Sequence, residues 1–95
     1  MSEMIDAAVK ALSAKLSGGF DGIAKFVIPG EGAIMLDPAG VRAGDEDSDV
    51  TLTAEADVFR AILDGEMNPT MAFMTGKLSV DGNMGLAMKL GSVLG

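Results

Sequence analysis

Hydrophobic and polar residues at the start of the chain follow the period of a helix. From Ser2 to Leu16, apolar side chains recur three and four residues apart, which predicts an amphipathic helix. Its apolar positions are Ile5, Ala8, Val9, Leu12 and Leu16. The pair Gly18-Gly19 predicts the end of this helix, because glycine is a common helix stop.

The next stretch predicts four short strands separated by turn residues. Phe20–Ile28 keeps apolar residues on one face at a period of two, and Ala33–Leu36 is short and wholly apolar. Val41–Ala43 and the alternation over Val50–Thr53 predict the third and fourth strands. Because these strands are close neighbours along the chain, antiparallel meander pairing is the simplest arrangement.

Capping residues indicate two helices in the second half of the chain. Thr53 is the predicted N-cap of the first helix, and Gly65 is the predicted residue after its last turn. Asn68 followed by Pro69 predicts the start of the second helix, and Gly76 predicts its end.

One more strand and one more helix complete the pattern. Leu78 and Val80 alternate with polar residues and predict a strand. Gly82-Asn83 then opens a helix that runs from Met84 towards Leu94. The predicted order is helix, four strands, two helices, strand and helix.

The last helix is apolar around its circumference except at Lys89 and Ser92. Such a helix must be covered on all sides, and one sheet layer covers only one face. The remaining surface needs another helix, a partner chain or a bound apolar molecule. Methionine suits ligands of several shapes, although core filling alone also explains the pattern. Five of the eight methionines lie in the last third of the chain: Met67, Met71, Met74, Met84 and Met88.

Length and composition confine these elements to one domain, residues 1–95. Apolar residues make up 48% of the chain and aromatic residues 4%, which is typical of an aliphatic folded unit. Cysteine and histidine are both missing from the sequence. Ser-His-Asp and Cys-His catalysis and the commonest transition-metal ligands are therefore excluded, and we expect no enzyme activity, no metal and no cofactor.

Charge bears on the partners of the protein. Seven basic and 14 acidic residues give a formal charge of −7, which disfavours nucleic acid as a ligand. The acidic run Asp45–Asp49 matches a calcium loop poorly, because Val50 stands where that loop needs Gly and Ala56 where it needs Glu. We expect a solvated acidic turn there.

Targeting signals are not evident in the sequence. No stretch approaches the ~20 apolar residues of a membrane span. The first residues are acidic where a secretory signal needs a basic leader, and the chain ends on Val93-Leu94-Gly95 rather than on a peroxisomal tripeptide. We therefore expect a cytoplasmic protein.

Several residue blocks resemble a known family. In order and spacing, they are similar to the sterol carrier protein 2 (SCP2) lipid-transfer domain, most strongly from about Val50 onwards and over roughly half of the chain. The blocks are Met67-Asn68-Pro69, Ala72-Phe73, Gly76-Lys77 and Gly82-Asn83-Met84-Gly85-Leu86-Ala87-Met88-Lys89-Leu90.

The resemblance implies an α/β (α+β) fold with a five-stranded, mainly antiparallel sheet. Helices would cover one face of this sheet and enclose a hydrophobic tunnel. It also implies a non-catalytic carrier of fatty acids, fatty acyl-CoAs, sterols or phospholipids, of a bacterial, cytoplasmic type. Carried over by position, the ligand-binding residues would be Phe59, Ile62, Met67, Met71, Phe73, Met74, Met84 and Met88.

Three functions remain open at this stage. The first is a carrier, favoured as a monomer, whose partners are a small apolar lipid and, transiently, a membrane or an enzyme. The second is a ligand-free interaction or dimerisation module that uses the apolar C-terminal helix. The third is an accessory subunit that presents lipid to a lipid-modifying enzyme.

Overall fold

The computed structural model describes residues 3–17 and 19–94, which form four helices and five strands. Their order is the one that the sequence pattern predicts. The predicted helix start at Ser2 and the predicted stop at Gly18 lie outside the described residues. The elements are α1 (Glu3–Lys15), β1 (Ala24–Ile28), β2 (Gly32–Asp37), β3 (Gly40–Ala43), β4 (Val50–Ala54), α2 (Ala56–Leu63), α3 (Pro69–Met74), β5 (Leu78–Gly82) and α4 (Met84–Leu94).

The five strands form one mixed sheet in the order β3-β2-β1-β4-β5. Three neighbouring pairs are antiparallel, whereas β1 and β4 run parallel. The predicted α/β fold with a mainly antiparallel sheet is thus confirmed, but the meander prediction is wrong for the central pair. The hairpin of β2 and β3 occupies one edge of β1. The chain therefore crosses to the other edge of β1, where β4 runs parallel to it.

The acidic segment 44–49 makes this crossing over the face of the sheet that the helices leave open. Lys25 points to that face and its Nζ lies 2.9 Å from an Oδ1 of Asp45. Met35 on the same face is 1% exposed. The acidic side chains of the segment remain exposed, as expected, and the segment also shields a buried methionine.

The hydrophobic core lies on the opposite face of the sheet. Alternate residues of β1 and β4 are buried, which is the pattern of strands with one covered face. Helix α1 packs against β2 and β3, and α4 packs against β4 and β5. At the centre, the rings of Phe26 and Phe59 lie 4.7 Å apart between centroids, so α2 meets the sheet through an aromatic pair.

The start of α2 differs from the prediction. Thr53 is not its N-cap, because Thr53 belongs to β4 and pairs with Ser79 of β5. The strand continues to Ala54, and Glu55 takes the N-cap position without a side-chain hydrogen bond. Gly65 follows the helix with φ of 81°, a conformation that glycine adopts without steric cost, as the sequence predicts.

The starts of α3 and α4 agree with the predictions. The Asn68 Oδ1 accepts hydrogen bonds from the backbone N–H groups of Thr70 and Met71 at 2.8 and 3.3 Å. The Asn83 Oδ1 accepts one from the N–H of Leu86 at 3.0 Å. Before α4, Gly82 has φ of 107° and lies so close to the backbone of residue 49 that a Cβ would collide with it.

None of the helices in residues 3–17 and 19–94 is long and apolar enough to cross a membrane.

The β2–β3 turn is held by an ion pair. Arg42 Nη1 donates to Asp37 Oδ2 at 2.6 Å, and the Ala39 N–H donates to Asp37 Oδ1 at 3.0 Å. The hydrogen bond from Arg42, above all, holds the pKa of the Asp37 carboxyl below its ordinary value. A carboxylate whose pKa is lowered by folding stabilises the protein above the unfolded-state pKa, and this contribution is lost as the pH falls.

We therefore expect Asp37→Asn to lower the urea midpoint at about pH 7, and we expect this effect to shrink as the pH is lowered towards about 2 and the wild-type carboxyl takes up its proton. Asp47→Asn, in the crossing segment, makes the same charge change at an exposed carboxylate and is the control. Urea unfolding followed by circular dichroism gives both midpoints. Equal loss at the two pH values would contradict the role of the charged pair.

Candidate functional site

A cavity of about 590 Å³ lies between the β4–β5 side of the sheet and helices α3 and α4. It is located between sheet and helices, where the resemblance implies a tunnel. Its volume falls within the ~300 to 1,000 Å³ that is typical of small-molecule sites.

The floor of the cavity comes from the covered face of the sheet. Phe26 of β1 and Leu52 of β4 face each other in the parallel register, and Val80 of β5 lies beside Leu52. Leu78 at the start of β5 and Ile62 of α2 complete this floor. The four strand side chains point inward because strand residues alternate between the two faces of a sheet.

The walls come from one face of each flanking helix. On α4, the lining positions Met84, Ala87, Met88 and Gly91 follow the spacing i, i+3, i+4, i+7 of a single helical face. On α3, the lining positions occur in two adjacent pairs, one turn apart. The lining residues of α3 are Pro69, Thr70, Phe73 and Met74.

The rim of the cavity is apolar and exposed. Met74 and Met88 are each 72% exposed, and Met84 and Phe73 are 47% and 43% exposed. The floor residue Phe26 is only 1% exposed. Single exposed apolar residues are common on protein surfaces, but contiguous groups of them are rare. A group of large apolar side chains around an opening is therefore a feature of binding surfaces.

Helix α4 is covered on one side only. Ala87, Leu90 and Leu94 are buried in the core, whereas Met84 and Met88 remain exposed at the rim. The sequence predicts that an apolar helix of this kind needs cover on all sides, and the chain itself supplies only part of it.

Five of the eight sequence-predicted site residues come together in the lining of the cavity. They are Ile62, Phe73, Met74, Met84 and Met88.

The other three predicted residues lie outside the lining. Phe59 is fully buried outside the lining, and its ring packs against that of Phe26 in the cavity floor. Met67 is half-buried and packs against the core. Met71 is 55% exposed on α3, beside the lining positions rather than among them.

Sequence reasoning missed the sheet floor and the polar part of the lining. The strand positions carry a signal, since Leu52 and Val80 share the buried phase of their strands. The polar positions carry none, because a capping asparagine and exposed hydroxyl residues are common in any chain. The missed residues are Phe26, Leu52, Asn68, Pro69, Thr70, Leu78, Val80, Ala87, Gly91, Ser92 and Leu94.

The lining is uncharged throughout the described part of the chain. Lys89 of α4 points away from the cavity towards Asp21, with Nζ and Oδ2 2.8 Å apart. The hydrogen bond from Lys89 lowers the pKa of the Asp21 carboxyl. Because its wall offers apolar area and neutral polar groups, the cavity is suited to holding a ligand by burial and hydrogen bonding.

Comparison with known sequences gives one family over most of the chain. The profile of the SCP-2 sterol transfer family matches residues 3–95, which extends the resemblance beyond the second half. The chain is also 34% identical over 103 aligned residues to hydroxysteroid dehydrogenase-like protein 2 of Xenopus laevis. This alignment covers 100% of the chain and 25% of that relative, so the chain spans about a quarter of the relative's length.

Solved structures show the same fold. Sterol carrier protein 2 of Aedes aegypti, in complex with the C16 fatty acid palmitate, has a TM-score of 0.78 at 24% identity, covering 99% of this chain and 96% of that one. Palmitated SCP2L2 of the same organism has a TM-score of 0.63 at 26% identity, covering 97% and 88%. The chain therefore has an SCP2-like α/β fold, in which the described residues form a five-stranded mixed sheet and four helices.

The different positions of Phe59 and Met88 predict different effects of truncation. Phe59→Ala removes a fully buried ring and should cost about 3 to 5 kcal/mol of unfolding free energy. Met88→Ala alters a side chain at the rim and should change it by no more than about 0.5 kcal/mol. Denaturant unfolding of both variants measures this contrast, and a large loss for Met88→Ala would mean that the rim is part of the core.

Proposed function

Because the chain belongs to the SCP-2 sterol transfer family, we propose that it binds an apolar lipid in the cavity and carries it without covalent chemistry. The observation that carries this proposal is the combination of a cavity of about 590 Å³, an uncharged lining and exposed methionines at the rim. The candidate ligands are those of the resemblance: fatty acids, fatty acyl-CoAs, sterols and phospholipids.

Relatives support the choice of ligand class. Of two solved structures with this fold, both from Aedes aegypti, one is a complex with palmitate and the other is palmitated. An acyl chain suits the apolar floor because each methylene that leaves water contributes about 0.8 kcal/mol, or roughly four-fold in dissociation constant. Affinity should therefore increase with chain length until the cavity is filled.

We propose distinct roles for the predicted site residues. Ile62 and Phe73 would contact the lipid from the floor and from α3, and Met74, Met84 and Met88 would adapt to its shape at the rim. Phe59 would act indirectly by fixing the ring of Phe26.

Release would require α3 and α4 to separate. Helix α3 is short and is flanked by glycines with positive φ, Gly65 before it and Gly76 after it. Residues 66–75 are therefore the segment we expect to move, and contact with a membrane or an enzyme through the exposed rim would favour the movement.

The exposed rim also favours a second candidate function, docking on a partner or on a second copy of the chain. The relative from Xenopus laevis is about four times as long as this chain, so an accessory role beside an enzyme fits the family as well. Light scattering with and without added lipid separates these functions, because a ligand-free interaction module should form a stable dimer that takes up no lipid.

Organic extraction of the purified protein tests the carrier proposal directly. We expect mass spectrometry of the extract to show a lipid at a molar ratio approaching one to one. Saturating lipid at about 100 times its dissociation constant should then raise the unfolding free energy by about 2.7 kcal/mol. A protein that yields no lipid and whose thermal midpoint is unchanged by fatty acid, sterol and phospholipid would not be a carrier.

Charge placed on the rim should weaken lipid binding. Met74→Glu and Met88→Glu each put a carboxylate at the opening and should raise the dissociation constant by about ten-fold or more, since the acyl chain would desolvate the charge. The fold should survive, because both side chains are 72% exposed.

Met71→Glu is the matched control, since Met71 is an exposed methionine of α3 outside the lining. Displacement of a fluorescent fatty acid gives the three dissociation constants, and thermal unfolding verifies the fold. An equal loss of affinity in all three variants would indicate a general charge effect instead of a rim contact.

A further inference from the structure

Part of the cavity lining is polar, and its residues lie where α3 packs against α4. Pro69 of α3 lies next to Gly91 of α4, since a Cβ on Gly91 would lie 3.9 Å from the Cβ of Pro69. Their chain neighbours Asn68, Thr70 and Ser92 all line the cavity. These three polar residues therefore flank the contact between α3 and α4, and we call this part of the lining the polar end.

The polar end retains unused hydrogen-bonding capacity. The Asn68 Oδ1 caps α3, which leaves the side-chain N–H groups of Asn68 to donate elsewhere. The Ser92 Oγ donates to the Met88 carbonyl oxygen at 3.2 Å and keeps its lone pairs. The Thr70 hydroxyl makes no hydrogen bond with the rest of residues 3–17 and 19–94. Donors and acceptors are thus both present, and all of them are neutral.

The polar end lacks the positive charge that a binding site for an anion would need. No lysine or arginine lines the cavity within the described part of the chain, and Lys89 on α4 is turned towards Asp21. The whole chain carries a formal charge of −7. An ionised carboxylate at the polar end would lose water without gaining a cation, which is costly, whereas a hydroxyl or ester group could exchange water for the neutral partners there.

We propose that the cavity selects lipids whose polar group is uncharged, such as a fatty alcohol, a monoacylglycerol or a sterol, and that Asn68, Thr70 and Ser92 bind this group. The proposal rests on the proposed function, since it specifies the class of lipid that the same cavity prefers. An ionised fatty acid would bind less tightly, with its carboxylate left in solvent.

Three probes with the same acyl length test the preference: dodecanoate, 1-dodecanol and glycerol monododecanoate, each competing with an uncharged fluorescent lipid at about pH 8. We expect the alcohol and the ester to bind about ten-fold more tightly than dodecanoate. Equal or tighter binding of dodecanoate would overturn the proposal. If none of the three competes, the carrier function itself fails.

Variants at the polar end test whether its residues cause the preference for uncharged lipids. Thr70→Val and Ser92→Ala should each weaken binding of 1-dodecanol by about three- to ten-fold and leave dodecanoate nearly unchanged. Thr70→Lys adds a cation at an exposed position and should strengthen dodecanoate binding by about ten-fold.

Ser79→Ala and Ser79→Lys are the controls, because Ser79 is exposed on the opposite face of the sheet. They should leave the affinity of every probe unchanged. If the Thr70 and Ser92 variants behave like these controls, the preference for neutral lipids does not arise from the polar end, and the assignment is wrong.

Discussion

The structure depends on the burial of one face of a five-stranded sheet by helices that are too short to cover all of it. Neighbouring strands are about 4.8 Å apart and a helix with its side chains is about 10 Å wide, so helices must lie side by side over the sheet. Helix α1, with 13 residues, covers β2 and β3, whereas the other side is covered by α4, with 11 residues, and by α3, which has only six. The cavity is the part of the covered face that lies between the sheet and these two helices.

Much of the fold follows from local sequence, and the exceptions have a physical cause. The roles of Asn68 and Gly82 at the starts of α3 and α4 could be predicted from the sequence. A capping side chain and a glycine of positive φ act on their immediate neighbours in the chain. The parallel pairing of β1 with β4 could not, since it depends on which edge of β1 is already occupied. The same holds for Thr53, whose cross-strand pairing with Ser79 extends β4 beyond the expected cap.

The candidate site shows the same division between local pattern and tertiary packing. Hydrophobicity marks α4 as apolar on every side, but only the fold separates buried Leu90 from exposed Met88. Gly91 shows the same division. Glycine inside a helix lowers helix stability by about 1 kcal/mol relative to alanine. Its small size is useful where α4 packs next to Pro69, a contact that exists only in the folded chain. The floor residues were missed because Leu52 and Val80 become neighbours only through strand pairing.

Charge is divided along the chain in a way that makes the exposed rim compatible with a monomer. Of the 14 acidic residues, only Asp81 falls within residues 67–94, which build both helical walls and most of the rim. The rest of the chain is strongly anionic, so two copies that approach each other repel at long range. An anionic membrane surface is opposed in the same way, which leaves the nearly neutral apolar rim as the surface best suited to contact lipid. In a carrier, apolar exposure at the opening and acidic charge elsewhere would therefore act together: the first would provide a route into the cavity, and the second would oppose self-association through that same opening.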